Sequence, residues 1–177
     1  MSNRKGDWIQ TYTGVKFYVL DSRIEDINLI DIAHSLSLQC RYAGHSNQFY
    51  SVAEHCVRMS RAEFNGSDPR WRLLHDAAEA YILDIPRPIK HMFPIFHEIE
   101  KNILQLISVK WNLDPMDFSS IERADRVLLA TEYRDLISHN QKWEMELPEP
   151  LPYPIIPWDW KRAEARFLIR AEELGIR

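Results

Sequence analysis

Apolar residues recur every three or four positions along most of the chain, a spacing that predicts amphipathic helices with one buried face. The pattern occupies six segments: EDINLIDIAHSLSLQ, YSVAEHCVRMSRAEF, RWRLLHDAAEAYIL and the stretches of roughly 95–111, 119–138 and 159–173. The predicted apolar faces include Ile30 and Leu38 in the first segment and Val109 in the fourth. We therefore expect a bundle of about six helices.

Two of these helices carry start signals. Ser51 followed three residues later by Glu54 is typical of a capping box, in which side chains satisfy backbone N–H groups of the first turn. Asp68 followed by Pro69 predicts an N-cap and a first helical position. Nearer the start of the chain, TYTGVKFYVLDSR surrounds Gly14 with aromatic and β-branched residues, which predicts a small β-hairpin.

The segments between the helices are predicted to lack regular structure. CRYAGHSNQF is a polar connector, DIPRPIKHMFP a loop stiffened by prolines, and ELPEPLPYPIIPWDW a surface segment that holds five of the ten prolines. We expect one all-α domain over residues 1–177. It would comprise a hairpin extension (1–24), a helical core (25–138), and a proline-rich segment with a last helix (139–177).

Composition excludes several classes of protein. The 177 residues are 45% hydrophobic with a net charge of −4, and the basic residues are scattered, so a polymeric nucleic acid is not an expected partner. No apolar run approaches the roughly 18–20 residues that span a bilayer, so no membrane is expected either. Cys40 and Cys56 lack metal spacing and no apolar segment opens the chain, which favours a cytoplasmic protein.

Ionisable residues interrupt the predicted apolar faces of three helices. His75 and Asp76 lie beside the apolar stripe of the third segment, and Glu79 follows one turn later, so these three side chains can point into one space. His55 and Asp125 lie on the inward faces of two other helices. A buried carboxylate is costly unless its charge is compensated.

One divalent cation would compensate these charges. Imidazole and carboxylate ligands suit Mn²⁺, Fe²⁺, Co²⁺, Zn²⁺ or Mg²⁺, so the sequence predicts a metal site formed by His55, His75, Asp76 and Asp125. The alternative is structural. Each histidine would then be a hydrogen-bonded core residue, and each aspartate would pair with a nearby arginine.

The motifs resemble those of the HD-domain metal-dependent phosphohydrolases, in particular the YfbR-like 5′-deoxynucleotidases and small phage HD hydrolases. These enzymes have a helix with an E-H pair, then H-D-x-x-E ending in D-[IL]-P-x-P-x-K, then a later helix with an Asp. The corresponding stretches here are AEHCVRMS, HDAAEAYILDIPRPIK and ERADRVLLATEYRDL, so the resemblance covers roughly residues 38–138.

The resemblance implies roles for several residues. The four predicted metal ligands match the family's ligands, and Asp76 would belong to the catalytic centre as well as to the metal site. Glu79 would orient or deprotonate the attacking water. Asp84 would contact the deoxyribose, Arg41 would bind phosphate, and Tyr42 would help to exclude a ribose 2′-hydroxyl.

Two further residues are candidates for substrate binding. Lys90 could bind non-bridging phosphate oxygens, and His45 could contact phosphate or protonate the leaving group. His34 is predicted to be a packing residue of the first helix. The 20-residue separation of His55 and His75 is shorter than expected of the cellular deoxynucleotidases, and the hairpin and the proline-rich segment lie outside the resemblance.

The function that this resemblance implies is hydrolysis of a deoxynucleotide phosphate. The leading version is a 5′-deoxynucleotidase that converts a dNMP to a deoxynucleoside and phosphate. One alternative releases triphosphate from a dNTP such as dATP, for which Arg87, Lys90 and Arg126 could provide additional cations. Another alternative is a nucleotide-binding HD module without turnover. Related enzymes are often homodimers, which makes a homo-oligomer an expected assembly.

Overall fold

The computed structural model describes residues 4–64, 66–138, 141 and 143–177. Within these residues the chain forms two strands, β1 (Ile9–Gln10) and β2 (Lys16–Phe17), followed by helices. Five helices have ten or more residues, and three are shorter. In chain order the helices are α1 (Leu29–Leu38), α2 (Val52–Arg61), α3 (Pro69–Leu74), α4 (Glu79–Ile82), α5 (Arg87–Lys90), α6 (Pro94–Lys110), α7 (Phe118–Leu136) and α8 (Trp160–Glu173). The predicted all-α fold with a small hairpin is confirmed.

The core lies where α1, α2, α3 and α8 pack together. Leu36, Val57, Leu74 and Phe167, one from each of these helices, have no exposed surface. The predicted N-caps of α2 and α3 are confirmed, because the Ser51 side chain accepts a hydrogen bond from the Glu54 N–H, and the Asp68 side chain accepts one from the Arg70 N–H. The other half of the predicted capping box is replaced, since the Glu54 carboxylate accepts from Trp158 and Arg58 instead. The last helix therefore completes the same core as the helices near the start of the chain.

The hairpin is antiparallel and packs against the helical core. Ile9 is opposite Phe17 in the register, and the buried Phe17 ring stacks on Tyr81 with ring centroids 3.9 Å apart. The Asp31 carboxylate of α1 accepts hydrogen bonds from the backbone N–H and the hydroxyl of Thr13, at 2.7 and 2.8 Å. These contacts anchor the hairpin to α1 and α4.

The third predicted helix is interrupted, which corrects the sequence-based expectation. Between α3 and α4, hydrogen bonds join residues three apart, from Ala77 N to Leu74 O and from Glu79 N to Asp76 O, both at 2.9 Å. The backbone stays right-handed at His75 and Ala78. This tighter winding eclipses side chains three residues apart and brings Asp76 and Glu79 to one side.

Other corrections are local. The proline segment predicted as a loop contains α5, because the fixed φ of Pro88 suits the first turn of a helix. Three residues assigned to the predicted buried faces are not buried in the structure. Ile30 and Leu38 are about half exposed, and Val109 is mostly exposed. Val109 lies two positions after the buried Ile107, which turns it by about 200° around the helix.

The proline-rich segment crosses the surface without helix or strand in its described residues, and it is held against α2. The Glu54 carboxylate has no exposed surface, and it accepts hydrogen bonds from the Trp158 N–H and the Arg58 guanidinium, both at 2.8 Å. Arg58 also donates to the Ile156 carbonyl at 2.8 Å. Burial raises the pKa of Glu54 to about 6.

Among the described residues, no helix combines the length and the apolar character needed to cross a bilayer.

Replacing Glu54 by Ala is expected to lower the free energy of unfolding by about 1–3 kcal/mol, because a buried N–H and a guanidinium lose their acceptor. Urea unfolding at neutral pH measures the change. Glu63→Ala is the control, since Glu63 is exposed just after α2 and its removal is expected to change stability by no more than about 0.5 kcal/mol. Equal effects of the two substitutions would contradict the anchoring role of Glu54.

Candidate metal centre

Three of the predicted metal ligands meet at one point. His55 comes from α2, and His75 and Asp76 come from the tight turn between α3 and α4. One ligand atom of each lies within 4.8 Å of the others. The two Nε2 atoms are 3.3 Å apart, and Asp76 Oδ2 lies 3.2 Å from His75 Nε2 and 3.8 Å from His55 Nε2. This cluster could hold a metal ion.

The Nδ1 atom of each imidazole points away from the cluster and contacts an oxygen atom, which orients the ring. His55 Nδ1 lies 2.7 Å from Glu132 Oε1, and His75 Nδ1 lies 3.1 Å from the Arg72 carbonyl oxygen. Burial alone would lower the pKa of each ring, but contacts with acidic neighbours raise the pKa of both, most strongly that of His75 beside Asp76. Both Nδ1 partners accept hydrogen bonds, so each ring in its neutral, metal-binding form carries its proton on Nδ1 and presents an Nε2 lone pair to the other. Facing lone pairs repel unless a cation lies near both. The donor set therefore fits a divalent metal better than a purely structural pair.

Asp125, the fourth predicted ligand, touches the cluster from α7. Its Oδ1 lies 3.2 Å from His55 Nε2, but it is not a member of the compact three-residue group. Its side chain is 36% exposed. Burial alone would raise the pKa of Asp125, but the contact with His55 holds that pKa below its ordinary value.

The pKa values of Asp76 and Glu79 are shifted in opposite directions, although the two residues are only one turn apart. Burial alone would raise the pKa of Asp76, but contact with His75 lowers it. Burial, reinforced by the Asp76 and Asp84 carboxylates, raises the pKa of Glu79 well above its ordinary value. The Glu79 side chain is almost fully buried, and its Oε2 has no hydrogen-bond partner in the described part of the chain.

Lys90 lies near the metal centre, where it contacts two glutamates. Its Nζ lies 4.0 Å from Glu79 Oε1 and donates a 2.6 Å hydrogen bond to Glu100 Oε1 of α6. Lys90 therefore lies beside the predicted catalytic carboxylate, although its shortest contact is with Glu100. No pattern in the sequence singles out Glu100, because ten residues and a helix boundary separate it from Lys90.

Arg41 contacts the metal centre directly, whereas the Tyr42 hydroxyl contacts Glu132. Arg41 Nη1 is 3.6 Å from Asp76 Oδ2, and Arg41 Nε is 3.3 Å from Glu132 Oε2. The Tyr42 hydroxyl donates a short hydrogen bond to the same Glu132 oxygen. The structure thus brings Arg41 to the predicted phosphate side, while Tyr42 contacts the carboxylate that orients His55.

Asp84 and His45 differ in their closeness to the centre. The Asp84 backbone N–H donates to Gln39 Oε1 at 3.0 Å, and burial raises the pKa of the Asp84 carboxyl. That carboxyl is close enough to contribute to the raised pKa of Glu79. His45 is exposed in the middle of the connector, just after the turn Arg41–Gly44, and the structure does not bring it to the cluster. His34 packs elsewhere, stacked on Tyr12.

A cavity of about 860 Å³ opens beside the metal centre. Its polar lining includes two residues of the cluster, His75 and Asp76, and three of their neighbours, Arg41, Glu79 and Asp125. Its apolar wall contains Trp71, Leu104, Met116, Phe118 and Ile121, and α6 adds His97, Glu100 and Lys101. Tyr42, His45, Asp84 and Lys90 are not among the described residues that line this cavity.

Glu132 is the functional candidate that the sequence analysis missed. It has no exposed surface and lies seven residues after Asp125 on α7. Seven residues are close to two helical turns, so Asp125 and Glu132 share one face. That spacing is the signal that could have identified Glu132 from the sequence.

The fold and this cluster define a class of protein: an all-helical domain with a buried His/Asp cluster that could hold a metal ion. The chain is 37% identical over 174 residues to the uncharacterized protein YfdR of Escherichia coli strain K12, and the match covers 95% of this chain and 96% of YfdR. It is 31% identical over 129 residues to an uncharacterized protein of Rhodobacter capsulatus, covering 68% of this chain and 66% of that protein. No protein-family model matches the chain. The chain belongs to the same family as YfdR.

Replacing Asp125 by Ala is expected to abolish retention of a divalent metal, because this removes a carboxylate in contact with His55 Nε2. Elemental analysis after desalting of the Mn²⁺- or Co²⁺-loaded protein measures the retained metal. Glu122→Ala is the matched control, since Glu122 is an exposed carboxylate of α7 that lines the same cavity. Full occupancy in Asp125→Ala would remove Asp125 from the ligand set.

Proposed function

We propose that this protein is a metal-dependent phosphohydrolase of the HD-domain class that acts on deoxynucleotides, most specifically as a 5′-deoxynucleotidase. The observation that carries the proposal is the convergence of the His55 and His75 Nε2 atoms with the Asp76 carboxylate, one turn ahead of the buried Glu79. The H-D-x-x-E motif and the D-I-P-x-P-x-K motif, to which these residues belong, support the same class.

His55, His75 and Asp76 would hold the metal, with Asp125 completing the set from α7. A divalent cation at this position supplies a Lewis acid that activates water and neutralises phosphoryl charge. Imidazole and carboxylate donors together suit Mn²⁺, Fe²⁺, Co²⁺, Zn²⁺ or Mg²⁺. The protonated Nδ1 atoms would keep both rings in the orientation that presents Nε2.

Glu79 would take the proton of the attacking water. A general base works best when its pKa lies near the operating pH, and carboxylates reach that range through burial and neighbouring negative charge. Both conditions hold for Glu79, whose pKa is raised by burial and by Asp76 and Asp84. Lys90, at 4.0 Å from Glu79, would limit this rise and keep the carboxylate available.

The charges around the cavity favour a substrate with one phosphate. Among the described lining residues, five carboxylates accompany two permanent cations, Arg41 and Lys101. A triphosphate would bring more negative charge into this acidic surrounding. The three cations that could bind a triphosphate either contact other groups or lie outside the cavity. Lys90 is bound to Glu100, Arg126 donates to the Glu146 carbonyl at 2.5 Å, and Arg87 is exposed outside the cavity.

The rest of the cavity suits a nucleoside. Its apolar wall includes Trp71 and Phe118, and Phe118 is 67% exposed at the start of α7. Exposed aromatic rings offer faces on which a nucleobase can stack. Arg41, within 3.6 Å of Asp76, would bind the phosphate beside the metal ligands.

Incubation with dAMP and with dATP in the presence of Mn²⁺ or Co²⁺ tests this function. We expect inorganic phosphate and deoxyadenosine from dAMP, and slower turnover of AMP. Release of triphosphate from dATP would replace the proposed reaction with triphosphohydrolysis. Binding of dAMP without any product would favour a nucleotide-binding module that lacks turnover.

Replacing Glu79 by Gln is expected to preserve metal binding and to lower kcat by about 10²–10⁴-fold, because the general base is lost. Steady-state kinetics with dAMP, together with elemental analysis of the same sample, measures both properties. Glu63→Gln makes the same chemical change at an exposed position outside the cavity and is expected to leave the rate unchanged. An undiminished rate in Glu79→Gln would exclude proton transfer by Glu79.

A further inference from the structure

Glu132 is a fully buried carboxylate in contact with three polar side chains from two other parts of the fold. Its Oε1 lies 2.7 Å from His55 Nδ1 on α2. Its Oε2 accepts the Tyr42 hydroxyl and lies 3.3 Å from Arg41 Nε. A buried carboxylate persists where such partners compensate its charge, and both oxygens of Glu132 are engaged.

The contact with His55 determines which nitrogen of that ring faces the metal centre. A carboxylate accepts but does not donate, so the neutral His55 ring has its proton on Nδ1, 2.7 Å from Glu132 Oε1, and Nε2 keeps its lone pair. The same hydrogen bond makes the ring a more basic ligand and limits its rotation. Without it, His55 could adopt the other tautomer and direct an N–H toward His75.

The contacts with Arg41 and Tyr42 join a strained turn to the same carboxylate. Tyr42 and Ala43 are consecutive non-glycine residues with φ of 58° and 51°, a conformation that L side chains rarely adopt. The Tyr42 hydroxyl bond and the Arg41 ion pair hold this turn against α7. Such conformations persist where the surrounding contacts determine them.

We propose that Glu132 is a positioning residue for the metal centre: it fixes the tautomer and orientation of His55, and the Arg41–Tyr42 turn holds Glu132 in place. This inference rests on the metal centre of the proposed function. It adds a residue outside the predicted ligand set, and it gives Tyr42 a role in supporting the metal site.

Titration of the purified, metal-free protein with Co²⁺ alone tests the inference, with calorimetry for affinity and the visible absorption spectrum for coordination. Loss of an outer-shell partner of a ligating histidine weakens metal binding by about 10–100-fold. We expect a loss in this range for Glu132→Ala and a smaller loss for Glu132→Gln, because the Gln oxygen can still accept from Nδ1. Tyr42→Phe, which removes one contact of Glu132, is expected to weaken Co²⁺ binding less than Glu132→Ala.

Glu54→Gln is the matched control. Glu54 is also a fully buried carboxylate, and it immediately precedes His55, but its hydrogen bonds go to Trp158 and Arg58. It is expected to lose stability without loss of Co²⁺ affinity. Circular dichroism of each variant establishes that it is folded. If Glu132→Ala does not fold, the Co²⁺ affinities of the Glu132→Gln and Tyr42→Phe variants test the positioning role instead.

The outcomes separate this inference from the proposed function. If the unmodified protein binds no Co²⁺ and hydrolyses no dAMP, the metal centre itself is wrong and the inference fails with it. If the unmodified protein binds Co²⁺ but the Glu132 variants bind it equally well, the metal centre stands and the positioning role is overturned. Equal weakening in Glu54→Gln would also overturn the role, because the effect would then be one of general stability.

Discussion

The structure depends on the burial of two imidazoles whose Nε2 atoms face each other across 3.3 Å. Each ring has its Nδ1 proton committed to an acceptor, so neither can relieve the repulsion by donating from Nε2 while it stays neutral. The Asp76 carboxylate on the same side adds negative charge, which makes a cation the natural complement. The surrounding fold brings these groups together. Helix α2 supplies one ring, the turn after α3 supplies the other, and α7 supplies carboxylates on both sides of His55.

Much of the fold could be predicted because it is encoded locally. The Ser51 and Asp68 caps are properties of four-residue stretches, and both occur as expected. The periodicity identified the long helices but placed Ile30 in the core, where it is half exposed. Period alone does not say which residues of a broad apolar face meet a neighbour. The tight turn at 75–78 was also missed, since its sequence is compatible with a continuous helix and tertiary contacts select the tighter winding.

The candidate site was predictable to the extent that its residues share motifs. His75, Asp76 and Glu79 lie within five positions, so the local geometry of one segment brings them together. Glu132 and Glu100 were missed, because each acts through a partner on a distant segment: Glu132 is 77 residues from His55. Tyr42 illustrates the converse. The family resemblance implied a sugar contact for Tyr42, and in the structure its left-handed backbone turns the hydroxyl toward Glu132. The direction of a side chain in an irregular connector is not fixed by its sequence neighbours.

The proline segment after α4 explains how Glu79 is held in its unusual environment. Helix α4 ends at Ile82, and the next residue, Leu83, has a φ of 71° that turns the chain. Gln39 holds both ends of this turn, donating to the Glu79 carbonyl at 3.1 Å and accepting from the Asp84 N–H at 3.0 Å. Pro86 and Pro88 then direct the chain into α5, which returns Lys90 to within 4.0 Å of Glu79. A carboxylate whose pKa is raised by burial and by two neighbouring aspartates thereby gains a nearby cation. The abrupt end of α4 is thus part of the electrostatics of Glu79, since a longer helix would carry Lys90 away from it.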